Sequence, residues 1–235
     1  MARAIYREWF AYFRFPGHES VGQVDSPLGP IPEGWFGRFD GLVSIDRDGL
    51  DPGDFPDERF QHFSIPAFDD GQLPAEEAGC AIKSTKYLID VKCVLLSKLN
   101  LRIPRVWRPS PSNGLRAIAS TEFLVLRPRI SVARDFILAT CSSAEFIERF
   151  VALSVGTSTS HQRVKPQDVL GLPTFIPSEP ILEAFARTAC PIYDLIHVLR
   201  QQATVLRRSR DLLLPRLMSG QLTLPEAEEA IPAAL

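Results

Sequence analysis

Near the C-terminus, apolar residues recur every seven positions: Phe185, Ile192, Leu199, Leu206 and Leu213. Between them stand Thr188, Leu195, Gln202 and Ser209, with Ala189, Ile196 and Ala203 adjacent. A seam of this period with polar flanks predicts a coiled-coil helix that pairs with another helix. Taken over 178–220, it would extend on the order of 50 Å at about 1.5 Å per residue, longer than a small domain needs. Pro191 lies inside this stretch and is expected to kink or interrupt it. Gly220 closes the element, and 221–235 reads as a loose tail.

At the other end, Ile5, Trp9, Phe10 and Phe13 fall at helical spacing between arginines. A lone helix of about 14 residues is marginal in water, so residues 1–16 must dock on something. Pairing with the long helix inside the chain would satisfy both, although the short helix covers only part of the seam. Residues 17–34 form a linker whose prolines and glycines, from Pro16-Gly17 to Gly34, break any regular element.

The middle, 35–177, alternates short β-favouring runs with turn residues. Gly41–Ile45, Tyr87–Leu95, Ala117–Ile118 and Glu122–Leu126 read as strands, and Asn113-Gly114 as a turn. Ala133–Val155 carries the apolar stripe of a helix: Phe136, Ile137, Phe146, Ile147, Phe150 and Val151. No βαβ rhythm and no glycine-rich fingerprint occurs, which argues against a dinucleotide-binding sheet. The predicted fold class is α+β: one mixed domain, a long C-terminal helix and a short N-terminal one.

Charge changes this picture more than composition does. The 235-residue chain sums to a formal charge of −2. Yet residues 17–80 hold three basic side chains (Arg38, Arg47, Arg59) against fourteen acidic ones, a net of −11. Residues 81–134 hold eleven Lys and Arg against Asp90 and Glu122, a net of +9. A basic stretch of that size neutralises phosphates, or else it pairs with the acidic segment and faces solvent. Cys80, Cys93, Cys141 and Cys190 lie apart with no CxxC pair, as reduced thiols rather than zinc ligands or disulfides. The apolar runs are too short to span a membrane, and the charged N-terminus carries no secretory signal, so the expected location is cytoplasmic.

Catalytic motifs are missing. There is no phosphate loop, HExxH, GxSxG or amino-methyltransferase motif. His18, His62, His161 and His197 are scattered, and no metal site is expected. Pro56-Asp57 with Asp90-Val91-Lys92 matches a metal-dependent nuclease pattern only loosely; Asp90 reads more simply as a turn residue. Base-edge and phosphate chemistry is better supplied. Lys83, Ser84, Lys86, Ser97, Lys98, Asn100, Arg102, Arg105 and Arg108 offer it in a turn-rich stretch, with Lys98 and Arg105 the expected DNA-binding test positions. Ser158, Ser160, His161, Gln162 and Arg163 form a second polar loop, suited to DNA contact or to local turn capping. Arg210-Asp211 suits a helix end or a partner contact.

These segments resemble the specificity subunits of type I restriction-modification systems. Ala2–Glu19 is similar to the end of a spacer helix, and Asp25–Trp35 to the entry into a target-recognition domain. Phe63–Pro74, Val94–Asn100, Ser120–Pro128 and Gly156–Val164 resemble segments within such a domain. Leu206–Leu222 (LRRSRDLLLPRLMSGQL) resembles the end of the second spacer helix and is the most specific of the set. The resemblance implies a non-catalytic, sequence-specific reader of one half of a bipartite target in double-stranded DNA. It implies docking to a modification subunit, which transfers methyl groups from S-adenosylmethionine. Cleavage with ATP and Mg would belong to a restriction subunit, and no cofactor to this chain. Family members hold two recognition domains on paired antiparallel helices, whereas one domain is visible here. The resemblance therefore points to a truncated C-terminal half or a separate half, pairing with a second copy or another half through Phe185, Ile192, Leu199, Leu206 and Leu213. The remaining alternatives are an interaction fragment that no longer binds DNA and a nuclease.

Overall fold

Asp90 decides how the middle of the chain is wired. Its carboxylate accepts the Lys92 amide at 2.7 Å, a local turn that competes with strand hydrogen bonding. The run expected as one strand, Tyr87–Leu95, therefore splits into Lys86–Ile89 (β8) and Val94–Ser97 (β9), which enter different sheets. The computed structural model describes residues 1–112, 114–153 and 164–223.

β8 lies in a five-stranded sheet with Gly49–Leu50 (β5), Arg59–Phe63 (β6), Ala75–Ala78 (β7) and Arg116–Ala119 (β11), in the order β5-β8-β11-β6-β7. The β11–β6 pair is parallel and the rest antiparallel. β9 lies in a four-stranded antiparallel sheet with Val43–Asp46 (β4), Val106–Trp107 (β10) and Phe123–Pro128 (β12), ordered β10-β9-β12-β4. Two ribbons complete the strands: Gln23–Val24 (β1) with Ile31–Pro32 (β2), and Phe36–Arg38 (β3) with Pro173–Phe175 (β13).

The sheets share one core. Phe63, Ile89, Ala117 and Ala119 from one meet Leu95, Phe123 and Val125 from the other, with Trp107 between them. Alternating side chains on each strand face opposite ways, so the second face needs its own cover. Phe60, Ile118 and Leu88 pack under Ile82 on one side, while the helix Arg134–Cys141 (α3) packs on β9 and β12 on the other.

The helix expected over Ala133–Val155 is two helices, α3 and Ala144–Ala152 (α4), broken at Ser142-Ser143. Ser143 has extended backbone, and its hydroxyl accepts the Phe146 amide at 3.2 Å, so it caps α4. Ser143→Ala should cost about 1 kcal/mol, read as a lower denaturant midpoint with an unchanged slope. Short helices Ile65–Asp69 (α2) and Pro166–Leu170 (α5) fill connections.

The N-terminal segment finds its partner inside the chain. Ala2–Tyr6 (α1) continues as a π-helical turn over Arg7–Ala11. Phe10 is fully buried, with ring centroids 4.7 Å from Phe136 and 5.1 Å from Phe185. Phe185 begins the heptad seam, but this packing consumes it: it is fully buried in the chain's own core and is closed to any partner. The long helix Glu179–Met218 (α6) runs unbroken through Pro191, so the expected interruption is absent. An exposed proline forfeits one backbone bond, and water can satisfy the freed Arg187 carbonyl. Residues Met1–Ile192 form one compact unit and Tyr193–Leu235 a second. The N-terminal segment and the first turns of α6 thus belong with the mixed domain, beyond the 35–177 expected.

Candidate nucleic-acid interface

Strand register gathers the basic loops at one end of the mixed domain. β8 starts where β11 ends, with Tyr87 opposite Ala119, and β6 ends there too, with Phe63 opposite Ala119. β9 ends where β12 starts, with Ser97 opposite Phe123. Residues 120–122 join β11 to β12, so segments 64–70, 98–105 and 120–122 meet, and the last residues of the 83–86 segment reach the same end as they enter β8. Bonds between them fix the meeting: Lys98 N–H to the Glu122 carbonyl at 2.9 Å and Ser120 N–H to the Phe63 carbonyl at 3.0 Å.

Within this end, the residues singled out from sequence divide into two sets. Lys83, Ser84 and Arg102 are exposed, and Asn100 is half-exposed in a left-handed turn (φ 54°). Leu101, fully buried, pins that turn so that Arg102 projects beside it. The other set is scaffold. Arg105 is buried and donates to both Asp69 oxygens at 2.8 Å, clamping the 98–105 loop onto α2. Such a bidentate pair fixes geometry and commits Nε and Nη2 to Asp69, while Nη1 is buried and turned from solvent. Arg108 is held by Asp135 at 2.8 Å. Ser97 is buried, its hydroxyl turned to Leu99. Lys86 is buried with its ammonium on the Ser84 carbonyl and hydroxyl at 2.7 and 2.6 Å; burial lowers its pKa, against the pull of Glu77 and Asp51. Lys98 is half-buried and engaged within the chain. Ser158, Ser160, His161, Gln162 and Arg163 lie outside the described residues.

One exposed cation at this end is not among the residues that sequence singles out. Arg47 sits on the turn from β4 to β5, where Gly49 passes so near that a Cβ there would lie 3.4 Å from the Thr85 methyl. Its only sequence signal is its place as one of three basic residues in an acidic segment.

Elsewhere the acidic segment does pair with the basic one. Glu58 binds Arg116, and Arg127 bridges Asp46 at 2.9 Å and Asp90 at 2.6 Å. Burial pulls both aspartates upward, but the Arg127 guanidinium and neighbouring amides hold their pKa values below the usual range. Asp90 is thereby committed to structure, and Asp57 lies on an exposed turn. Among the described residues, no group of three His, Cys, Asp or Glu side chains could hold a metal ion. Cys93 is buried, and desolvation pushes its thiol up to about 12, so it is unreactive at neutral pH.

The second unit, Tyr193 onward, presents an apolar ridge. Leu195, Val198, Leu199, Val205, Leu206 and Leu212 are exposed by between 44% (Leu206) and 70% (Leu212). Val198, Val205 and Leu212 each precede a seam residue, so a second heptad row flanks the one found in the sequence. Leu213 is half-exposed, as is Ile192 at the end of the first unit. Arg210 binds Asp211 at 2.7 Å with both side chains solvated, a pair worth little to stability.

No family model and no curated protein matches the chain. Solved structures do. Over 83% of this chain and 50% of the other, the structure is similar to the HsdS subunit from Thermoanaerobacter tengcongensis, with TM-score 0.58 and 22% identity. A chain from a structure of a type I R-M system, solved for its complex assembly and conformational transition, matches over 83% and 51% with TM-score 0.57 and 22% identity. The chain spans about half the length of the structures it matches. At this identity the likeness is one of fold: a mixed α/β domain with a long helix, built as in half of an HsdS subunit.

Proposed function

We propose that this chain is a DNA target-recognition module, one half of a type I restriction-modification specificity subunit, with no catalysis of its own. The observation that carries this reading is the convergence of the exposed cations Lys83, Arg102 and Arg47 on one end of an HsdS-like fold. The loop that carries Arg102 is held in place by an ion pair and a buried leucine. Sequence readout needs such donors on a preorganised backbone, with phosphate contacts setting register. The target class is double-stranded DNA, read as one half of a bipartite site. S-adenosylmethionine, ATP and Mg belong in this reading to a modification and a restriction subunit. The ridge from Leu195 to Leu212 receives a partner helix, from a second copy or another half, and the modification subunit docks beside it. No helix among the described residues is long and apolar enough to cross a membrane, which agrees with a cytoplasmic complex.

Lys83→Ala and Arg102→Ala test the reading, because both side chains are exposed and their removal leaves the core intact. Each should weaken duplex binding, and each should reduce the salt slope by about 1 for the phosphate it no longer neutralises. The measurement is fluorescence anisotropy of a labelled duplex across a salt titration. An unchanged affinity and slope for both variants removes this end of the domain as the DNA face.

A further inference from the structure

Where the N-terminal segment meets α4 and β13, the fold forms a half-open cavity of about 490 Å³, within the range of roughly 300–1,000 Å³ typical of small-molecule sites. Its floor is aromatic (Tyr6, Phe10, Phe13 and Phe175), and Glu145 and Glu148 stand on its wall. Nothing in DNA recognition or helix pairing uses it.

The backbone that forms the wall is unusual in two places. Arg7–Ala11 is a π-helical turn, a form that occurs mostly as short insertions and often at functional sites. Phe13 has φ 55°, a left-handed conformation that is an outlier for a bulky side chain. Local strain of this kind persists only where the surrounding structure enforces it.

The chemistry of the lining selects a charge. Arg149 also lines the cavity; its guanidinium donates to the backbone carbonyls of Glu145 at 3.0 Å and Pro173 at 2.9 Å and is drawn electrostatically to the Glu145 carboxylate, so two carboxylates stand there against one cation. The Glu145 and Glu148 carboxylates have no ion-pair partner among the described residues. Tyr6 is buried and donates its hydroxyl hydrogen to Thr140 Oγ1 at 3.1 Å, and the Ser143 side chain is also bonded to the phenol. Burial raises the Tyr6 pKa far above its usual value, so the phenol stays neutral. Aromatic faces and carboxylates both attract cations.

We propose that this cavity binds a small organic cation with an aromatic or branched apolar body. The body lies against Phe13 and Phe175, with the buried Phe10 behind them, and the ammonium or guanidinium group sits by Glu145 and Glu148. Because Tyr6, Phe10 and Phe13 belong to the N-terminal segment, occupancy ties that segment to the domain.

The test is isothermal titration of the full chain with three probes of one shape: 4-phenylbutylamine, 4-phenylbutanol and 4-phenylbutyrate. Saturable binding is expected for the amine, with the alcohol and the carboxylate weaker by about tenfold or more. Glu145→Gln with Glu148→Gln, both at exposed positions, should reduce amine affinity by about tenfold and abolish the preference for the amine. Ala11→Trp, an exposed lining position, should fill the space and stop all three, with the circular dichroism spectrum unchanged. The proposal is overturned if the amine shows no saturable heat, if the carboxylate binds as well, or if Ala11→Trp leaves binding intact. None of these outcomes bears on DNA recognition.

Discussion

Asp135→Ala should lose about 3–5 kcal/mol of folding stability, the cost of stranding a buried charge rather than the worth of the pair itself. Asp135 is 3% exposed at the start of α3. It accepts from Arg108 at 2.8 Å and Arg134 at 3.2 Å, and Arg108 also reaches the Cys190 sulfur on α6 at 3.3 Å. Removing the carboxylate leaves the Arg108 guanidinium, itself nearly buried, without its anion. Asp135→Asn keeps one acceptor and should lose clearly less. Denaturant unfolding of the two variants beside the native chain reads the difference. Equal, small losses would mean that solvent already satisfies Arg108, and that the cluster does not fasten the loop after β10 to α3 and α6.

The second large effect concerns assembly. Leu199→Glu with Leu206→Glu should leave the chain folded, since both side chains are exposed in it. Burying two leucines against a partner is worth about 3–6 kcal/mol, so the double variant should lose a factor of at least about a hundred in association. Sedimentation velocity reads this for self-association, and co-purification reads it for a co-expressed modification subunit. Variants that still assemble at native stoichiometry would show that the ridge is not the interface. Val198→Glu with Val205→Glu separates two geometries. If the second row is also buried in the complex, that variant fails as well.

The sequence disclosed most of this architecture because its strongest signals are local. The heptad of α6, the apolar stripe of α3 and α4 and the runs of β4, β9 and β12 follow from spacing alone. What it hid depends on packing between distant residues. β6 contributes Phe60 and Phe63 to two cores, yet Arg59–Phe63 mixes Gln and His with its aromatics and shows no strand pattern. Asp90 and Ser143 are short polar residues whose side chains bond nearby amides, and this split one expected strand and one expected helix. Phe185 fits the heptad, but only the fold reveals that Phe10 already occupies its face.

The candidate DNA face was legible as a region and not as residues. The net charge of 81–134 pointed to a set of loops, and register brings two of them together. Charge cannot distinguish an arginine that clamps from one that projects, because the distinction lies in a carboxylate far along the chain. Arg105 and Arg108 are spent on Asp69 and Asp135, 36 and 27 residues away. Arg102, exposed beside them, remains available. The expected test positions Lys98 and Arg105 therefore give way to Lys83 and Arg102.

Selection from a random duplex library by the purified full chain, at low salt and then at rising salt, tests the central claim most directly. Enrichment of one short contiguous sequence is expected, with mismatches costing about 1–3 kcal/mol each and with Arg102→Ala lowering the enrichment. Recovery of DNA with no enriched sequence, released by salt whatever its composition, would contradict it.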